Sequence, residues 1–125
     1  MTQSDCIFCD LGDEEIVIKN QYCYARWDKY PVSDGHALII PFRHISNYFD
    51  VSEDEKSAIW TLVDDMKHLI RQEYSPDGYN IGINVGRAAG QSIPHLHVHI
   101  IPRYEGDVVD PRGGVRGVIT EKQSY

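Results

Sequence analysis

Apolar and polar residues alternate with a two-residue period through residues 95–101, where His95, His97 and His99 interleave with Leu96, Val98 and Ile100 ahead of Ile101 and Pro102. That period puts every second side chain on the same side of an extended chain, and it predicts a strand with an oily face to pack and an imidazole face to expose. Residues 36–41 form a continuous apolar run, too short for a helix and closed by Pro41, which predicts a buried central strand opening on His36. β-branched and aromatic residues crowd 15–19 and 22–27, two short strands expected to join at Asn20-Gln21, and residues 79–85 read as a further strand. Ile59, Leu62, Val63, Met66, Leu69 and Ile70 instead recur at three- and four-residue steps, the single stripe of an amphipathic helix. Ser52 and Glu55 supply its capping box, Ser75-Pro76-Asp77-Gly78 its end, and His68 falls off the stripe toward solvent.

Between these elements, residues 28–35 form a loop and Gly86 to Gly90 a glycine-bounded loop leading into the histidine strand. Residues 5–11 are expected to make a short N-terminal helix or turn whose Ile7, Phe8 and Leu11 dock on the core. Trp27, at a strand end, is expected to pack rather than to stack on a ligand. After Pro102 no period is visible, and the tail, 104–125, is expected to wrap over a neighbour or be partly disordered. Five strands and one long helix on short connections predict an α+β fold with an antiparallel sheet, in a single domain spanning 1–125.

Composition narrows the partners. A net charge of −7 works against a general grip on nucleic acid, which needs cations along the phosphates. No apolar run nears the roughly 20 residues of a bilayer span, and residues 1–6 carry no basic or apolar leader, so a cytoplasmic location with reduced thiols is expected. Cys6 and Cys9 then read as half of a zinc site or a redox pair, and Cys23, between Tyr22 and Tyr24, as structural.

With 6 His in 125 residues, a chance run of three alternating histidines is expected about 0.01 times per chain, so the motif calls for a chemical explanation. Side chains two apart on a strand are separated by about 7 Å per step, so the three cannot share one metal ion; one could complete a Cys₂His₂ zinc site with Cys6, Cys9 and another histidine. The other chemistry is nucleophilic. Imidazole is mostly unprotonated at neutral pH and attacks phosphorus well, and His97 is flanked by an imidazole on each side. Gly90-Gln91-Ser92 upstream can offer backbone N–H groups, an amide and a hydroxyl to phosphate oxygens.

The run His95-Leu96-His97-Val98-His99-Ile100-Ile101 resembles the signature of the histidine triad family of nucleotide hydrolases and transferases, and the resemblance extends over about residues 5–103. Gly35-His36-Ala37-Leu38-Ile39-Ile40-Pro41 looks like the family's upstream strand, with Asp28 and Asn84 at matching places. The resemblance implies a five-stranded antiparallel sheet, joined across a two-fold axis into a homodimer with a ten-stranded sheet, and a purine nucleotide as substrate. It implies that His97 attacks the α-phosphorus to give a nucleotidyl-histidine that water hydrolyses. His99 and Gln91 would hold phosphate oxygens, Ser92 would touch the phosphate or leaving group, Asp28 would take the ribose hydroxyls, His36 would lie beside the phosphate, and Asn84 would orient the ribose or phosphate edge. Some members carry a structural zinc, whose ligand set Cys6, Cys9, His44 and His95 match. The implied substrates are dinucleoside polyphosphates, nucleoside phosphoramidates or adenylylated adducts. The alternatives are a phosphorylase or nucleotidyltransferase of the same superfamily, a non-catalytic nucleotide-binding module, or a zinc-binding structural protein.

Overall fold

The computed structural model of the chain describes residues 6–10, 12 and 15–125. Its strands are β1 (Ile18–Lys19), β2 (Cys23–Trp27), β3 (Ala37–Pro41), β4 (Gly78–Ile83) and β5 (Val98–Arg103), with one long helix, α1 (Glu53–Tyr74), between β3 and β4. All neighbours pair antiparallel in the order β1-β2-β3-β5-β4, the α+β sheet that the sequence predicts.

Strand parity divides the sheet into two faces with different work. Cys23 and Ala25 of β2, Ala37 and Ile39 of β3, and Val98 and Ile100 of β5 point to one side and bury against Ile59, Leu62, Val63, Met66 and Ile70 of α1, with Leu96 added just ahead of β5. Removing this apolar area from water is the main drive for the fold. Trp27 packs at the edge of this core and meets Tyr74 edge-on, ring centroids 5.8 Å apart, so packing is its role. The intervening residues Tyr24, Arg26, Leu38, Ile40 and His99 look the other way, toward the N-terminal segment and the histidine loop. Register aligns Arg26 with Leu38 and Leu38 with His99, so a cation, an apolar residue and an imidazole lie in one row across three strands.

The capping box forms as expected: Glu55 N–H donates to Ser52 Oγ at 3.1 Å, and Ser52 N–H to Glu55 Oε1 at 3.0 Å. The Arg43 fork on Glu55, at 3.1 and 2.7 Å, holds that carboxyl down at about 2. At the other end the left-handed residue is Ser75, φ 51°, and not Gly78, which already belongs to β4. The turn closes before proline and needs no glycine.

Other boundaries move too. The first expected strand shrinks to two residues, because Glu15 sits in a helical turn and Asn20 Oδ1 accepts the N–H groups of Tyr22 and Cys23, ending the ladder. In place of an N-terminal helix, residues 7–10 make a turn in which Cys9 and Asp10 donate to the Cys6 carbonyl. Phe8 docks as expected, whereas Ile7 stands 56% exposed and Leu11 lies outside the described residues. The tail is ordered into two short 3₁₀ turns, Gly114–Val118 and Thr120–Lys122, the first of which touches β4. Arg103 fastens its start by forking onto Asp107 at 2.8 and 2.9 Å while donating to Asn80 at 2.7 Å. Among the described residues no helix is long and apolar enough to cross a membrane.

Candidate active site

The histidine run keeps its alternation but not its strand. Hydrogen-bonded pairing begins only at Val98, so His95 and His97 sit on the approach to β5, held by the Leu96 N–H donating to the Ile45 carbonyl at 2.7 Å. That bond also brings the His44 loop beside His95. The three imidazoles therefore serve two places: His95 is fully buried under the sheet edge, while His97 and His99 line a cleft of about 480 Å³.

His97 is only 9% exposed, yet one ring edge faces that cleft. Its Nδ1–H donates to the His95 carbonyl at 2.9 Å, which leaves Nε2 as the unprotonated nitrogen, with no partner among the described residues. Phe8 steadies the ring from one side, centroids 5.1 Å apart, and Phe8 is itself tied down by the Tyr24 hydroxyl donating to its carbonyl at 2.7 Å.

A second chain of bonds fixes His99. Val32 N–H donates to His36 Nδ1 at 3.1 Å, so the His36 proton is on Nε2, and Nε2–H donates to His99 Nδ1 at 3.0 Å. His99 must then carry its proton on Nε2. The pair of cleft imidazoles thus has opposite characters: His97 offers a lone pair and His99 an N–H.

Asp28 closes this end. One oxygen accepts the Tyr30 N–H at 2.9 Å in an Asx turn, and the other lies 3.4 Å from His36 Nε2. Asp28 and Ser92 line the cleft, as does Asn84, which follows β4 rather than lying within it. Gln91 is turned away: its Oε1 accepts the Gly86 N–H at 2.9 Å, and its amide donates to the carbonyls of Ser46 and Ile93 at 3.0 and 3.1 Å. The side chain braces the loop instead of facing the cleft, which its neighbours Gly90 and Ser92 reach. Sequence reading missed Arg26, a cation flanked by Ala25 and Trp27 in an otherwise apolar strand; that misfit is the signal that singles it out.

Burial weighs on the imidazolium forms. His99 is held down at about 4 by burial and by the imidazoles of His97 and His36, against the pull of Asp28. His36 is lowered by burial, partly offset by Asp28, and His95 by burial, partly offset by its bond to the Pro41 carbonyl. The unfolded chain takes up these protons near the ordinary value of 6.5 and the folded chain only at lower pH. Stability should therefore be complete above about pH 6.5 and fall as the pH drops toward 4, each such histidine contributing a slope of up to about 1.4 kcal/mol per pH unit. Urea unfolding at pH 6.5 and 4.5 checks this, and the loss should be shallower in H99N.

Behind the cleft, Cys6, Cys9, His44 and His95 each bring one donor atom to within 4.8 Å of all the others. Cys6 Sγ and Cys9 Sγ lie 3.2 and 3.4 Å from His95 Nδ1, and Cys9 Sγ 3.2 Å from His44 Nδ1. The chemistry fits zinc: two thiols and two imidazoles make a tetrahedral Cys₂His₂ set. His95 Nε2–H also donates to the Pro41 carbonyl at 2.8 Å, the outer bond that leaves Nδ1 free to bind a metal.

Comparison with known proteins places this geometry. The model of the HIT domain matches residues 12–106. The chain belongs to the HIT domain family. A HIT relative from Mycobacterium tuberculosis, an AP-4-A phosphorylase, is 35% identical over 100 residues, 78% of this chain and 51% of that protein. The bis(5'-adenosyl)-triphosphatase of Saccharomyces cerevisiae is 37% identical over 104 residues, 79% of this chain and 50% of that one. The HIT chain thus spans about half the length of these two enzymes. Among solved HIT folds, a Zn-bound histidine triad family protein from Mycobacterium smegmatis superposes with a TM-score of 0.76 at 27% identity, over 87% of this chain and 82% of that one.

Proposed function

We propose that this HIT protein cleaves a purine nucleotide conjugate at its α-phosphate through a covalent nucleotidyl-histidine at His97, releasing a nucleoside monophosphate to water. The observation that carries the proposal is the bond from His97 Nδ1–H to the His95 carbonyl, which leaves Nε2 as a lone pair facing the cleft. Nε2 attacks the phosphorus, the P–N bond forms, and the bond to the leaving group breaks. Positive charge then grows on the ring, and the His95 carbonyl dipole stabilises it through Nδ1–H. His99, a donor at Nε2, takes a phosphate oxygen. Ser92 faces the phosphate or the departing group, Asn84 the ribose or phosphate edge, and Asp28 accepts from the ribose hydroxyls. Gln91 acts through the loop that it braces. In the second step water attacks phosphorus, the P–N bond breaks, and His97 returns neutral.

Support for the class comes from two relatives that are dinucleoside polyphosphate enzymes, one a phosphorylase and one a triphosphatase. These leave the acceptor to be chosen, and water is our choice. Zinc on Cys6, Cys9, His44 and His95 would cross-link the N-terminal turn to the approach to β5 and take no part in the chemistry. Two chains paired into a ten-stranded sheet, in the cytoplasm, complete the proposal, with the whole of 1–125 as one domain. Incubation of a dinucleoside polyphosphate with and without inorganic phosphate tests the reaction. Monophosphate in both arms is the expected result; a nucleoside diphosphate appearing only with added phosphate would make the protein a phosphorylase, and no turnover in either arm, nor of a phosphoramidate, would leave a binding module.

A further inference from the structure

The cleft holds a charged group that the proposed chemistry does not use. Arg26 lies on the floor of the sheet, in one row with Leu38 and His99, and is 5% exposed. Of the five N–H donors of its guanidinium, one on Nη1 reaches Glu15 at 3.1 Å and Nε reaches the Trp27 carbonyl at 3.4 Å. The other three, one on Nη1 and both on Nη2, have no partner among the described residues. Nor is Nη2 sealed in: there, the one buried side-chain polar atom without a partner is Tyr79 Oη, so Nη2 opens onto the cleft that Arg26 lines. Buried donors are almost always satisfied, and a cation with both N–H groups of one nitrogen open at the wall of a cleft is built for an acceptor that arrives with a ligand.

The surroundings say which part of the ligand this is. Ile7, Phe8, Leu38 and Ile93 give the cleft that Arg26 lines an apolar wall, of which Ile7 is 56% exposed. A flat heterocycle suits such walls; a phosphate does not, and the phosphate already has His97 and His99. The side chains of Arg26 and His99 are separated along their row by Leu38 alone, a spacing that leaves room for a nucleotide between its base and its phosphate.

We propose that Arg26 reads the base and selects guanine over adenine. Guanine presents two adjacent acceptors, O6 and N7, that match the parallel N–H groups of a guanidinium, whereas adenine puts an N–H₂ beside N7 and sets donor against donor. The Glu15 carboxylate, which also pairs with Lys29 at 3.5 Å, holds the fork in place. This inference rests on the nucleotide reading above and deepens it.

Titration calorimetry of GMP and AMP against the 125-residue chain tests it without turnover. The wild type should bind GMP about 10-fold or more tighter than AMP. R26M should bring the two within about 2-fold, and R26K, which keeps the charge but not the fork, should lose most of the preference. A merely structural role would weaken both nucleotides together and leave their ratio alone. Equal binding of GMP and AMP by the wild type overturns the assignment of Arg26 while the nucleotide reading stands. A ratio unchanged in R26M or R26K also overturns it, and failure of both nucleotides to bind at millimolar concentration sinks the nucleotide reading together with it.

Discussion

H97N is expected to lower kcat by about 10⁴-fold or more while changing nucleotide affinity by no more than about 3-fold. A loss of that size is about 5.4 kcal/mol of barrier, which removal of a covalent route produces and a lost contact does not. Asparagine suits the test because its Nδ2 can replace the Nδ1–H bond to the His95 carbonyl, so the loop keeps its anchor and only the nucleophilic lone pair disappears. Steady-state kinetics on a phosphoramidate or dinucleoside polyphosphate, beside calorimetry with the monophosphate product, separates the two quantities. Retained turnover would remove His97 from the chemistry. H99N should behave differently. Its nitrogen supplies an N–H to charge that grows in the transition state, so the loss should be on the order of 10²-fold.

The contrast between those two variants traces to bonds that the histidine run does not display. Alternation placed His95, His97 and His99 on one side and Leu96, Val98 and Ile100 on the other; the apolar three bury in the core and His97 and His99 line the cleft as the period predicts, whereas His95, expected on the same exposed face, is buried. What the period could not convey is that pairing starts at Val98, because the partner of Leu96 is a single carbonyl in the His44 loop, Ile45, rather than a ladder. The division of labour between His95 and His97 follows from that departure, since it is the backbone turn at 95 that aims one ring into the Cys/His cluster and the other into the cleft. The capping box at Ser52 and Glu55 was legible because it is local, two residues three positions apart that satisfy one another. Gln91 shows the opposite case: its residue type suits a phosphate, and only the positions of Gly86, Ser46 and Ile93 around it turn it into a brace. Arg26 was readable in principle as a cation in an apolar strand, but its Glu15 partner sits across a hairpin whose first strand is two residues long, too short to give a pattern.

Stripping zinc should lower the melting temperature by about 10 °C or more, and protein purified without added metal should carry about one zinc per chain. The expectation follows from where the N-terminal turn is tied to the rest of the chain. Phe8 and the Tyr24 hydroxyl dock it on the sheet, while Cys6 and Cys9 meet His95 on the approach to β5 and Cys9 meets His44 in the loop after β3. A ligand present at about 1,000 times its dissociation constant stabilises the folded state by about 4 kcal/mol, and at this chain length each kcal/mol is worth several degrees. Without metal the site is a poor place for charge: burial and the neighbouring Cys6 push the Cys9 thiol up to about 11, so only a cation with strong affinity for sulfur draws the proton off. Thermal unfolding before and after chelation, with elemental analysis, measures the effect, and C9S should reproduce the chelated melting curve. Because the His95 carbonyl aims His97, the stripped protein should also lose more in kcat than in KM. A metal content of zero with an unchanged melting temperature would reduce the four residues to a hydrogen-bonded cluster.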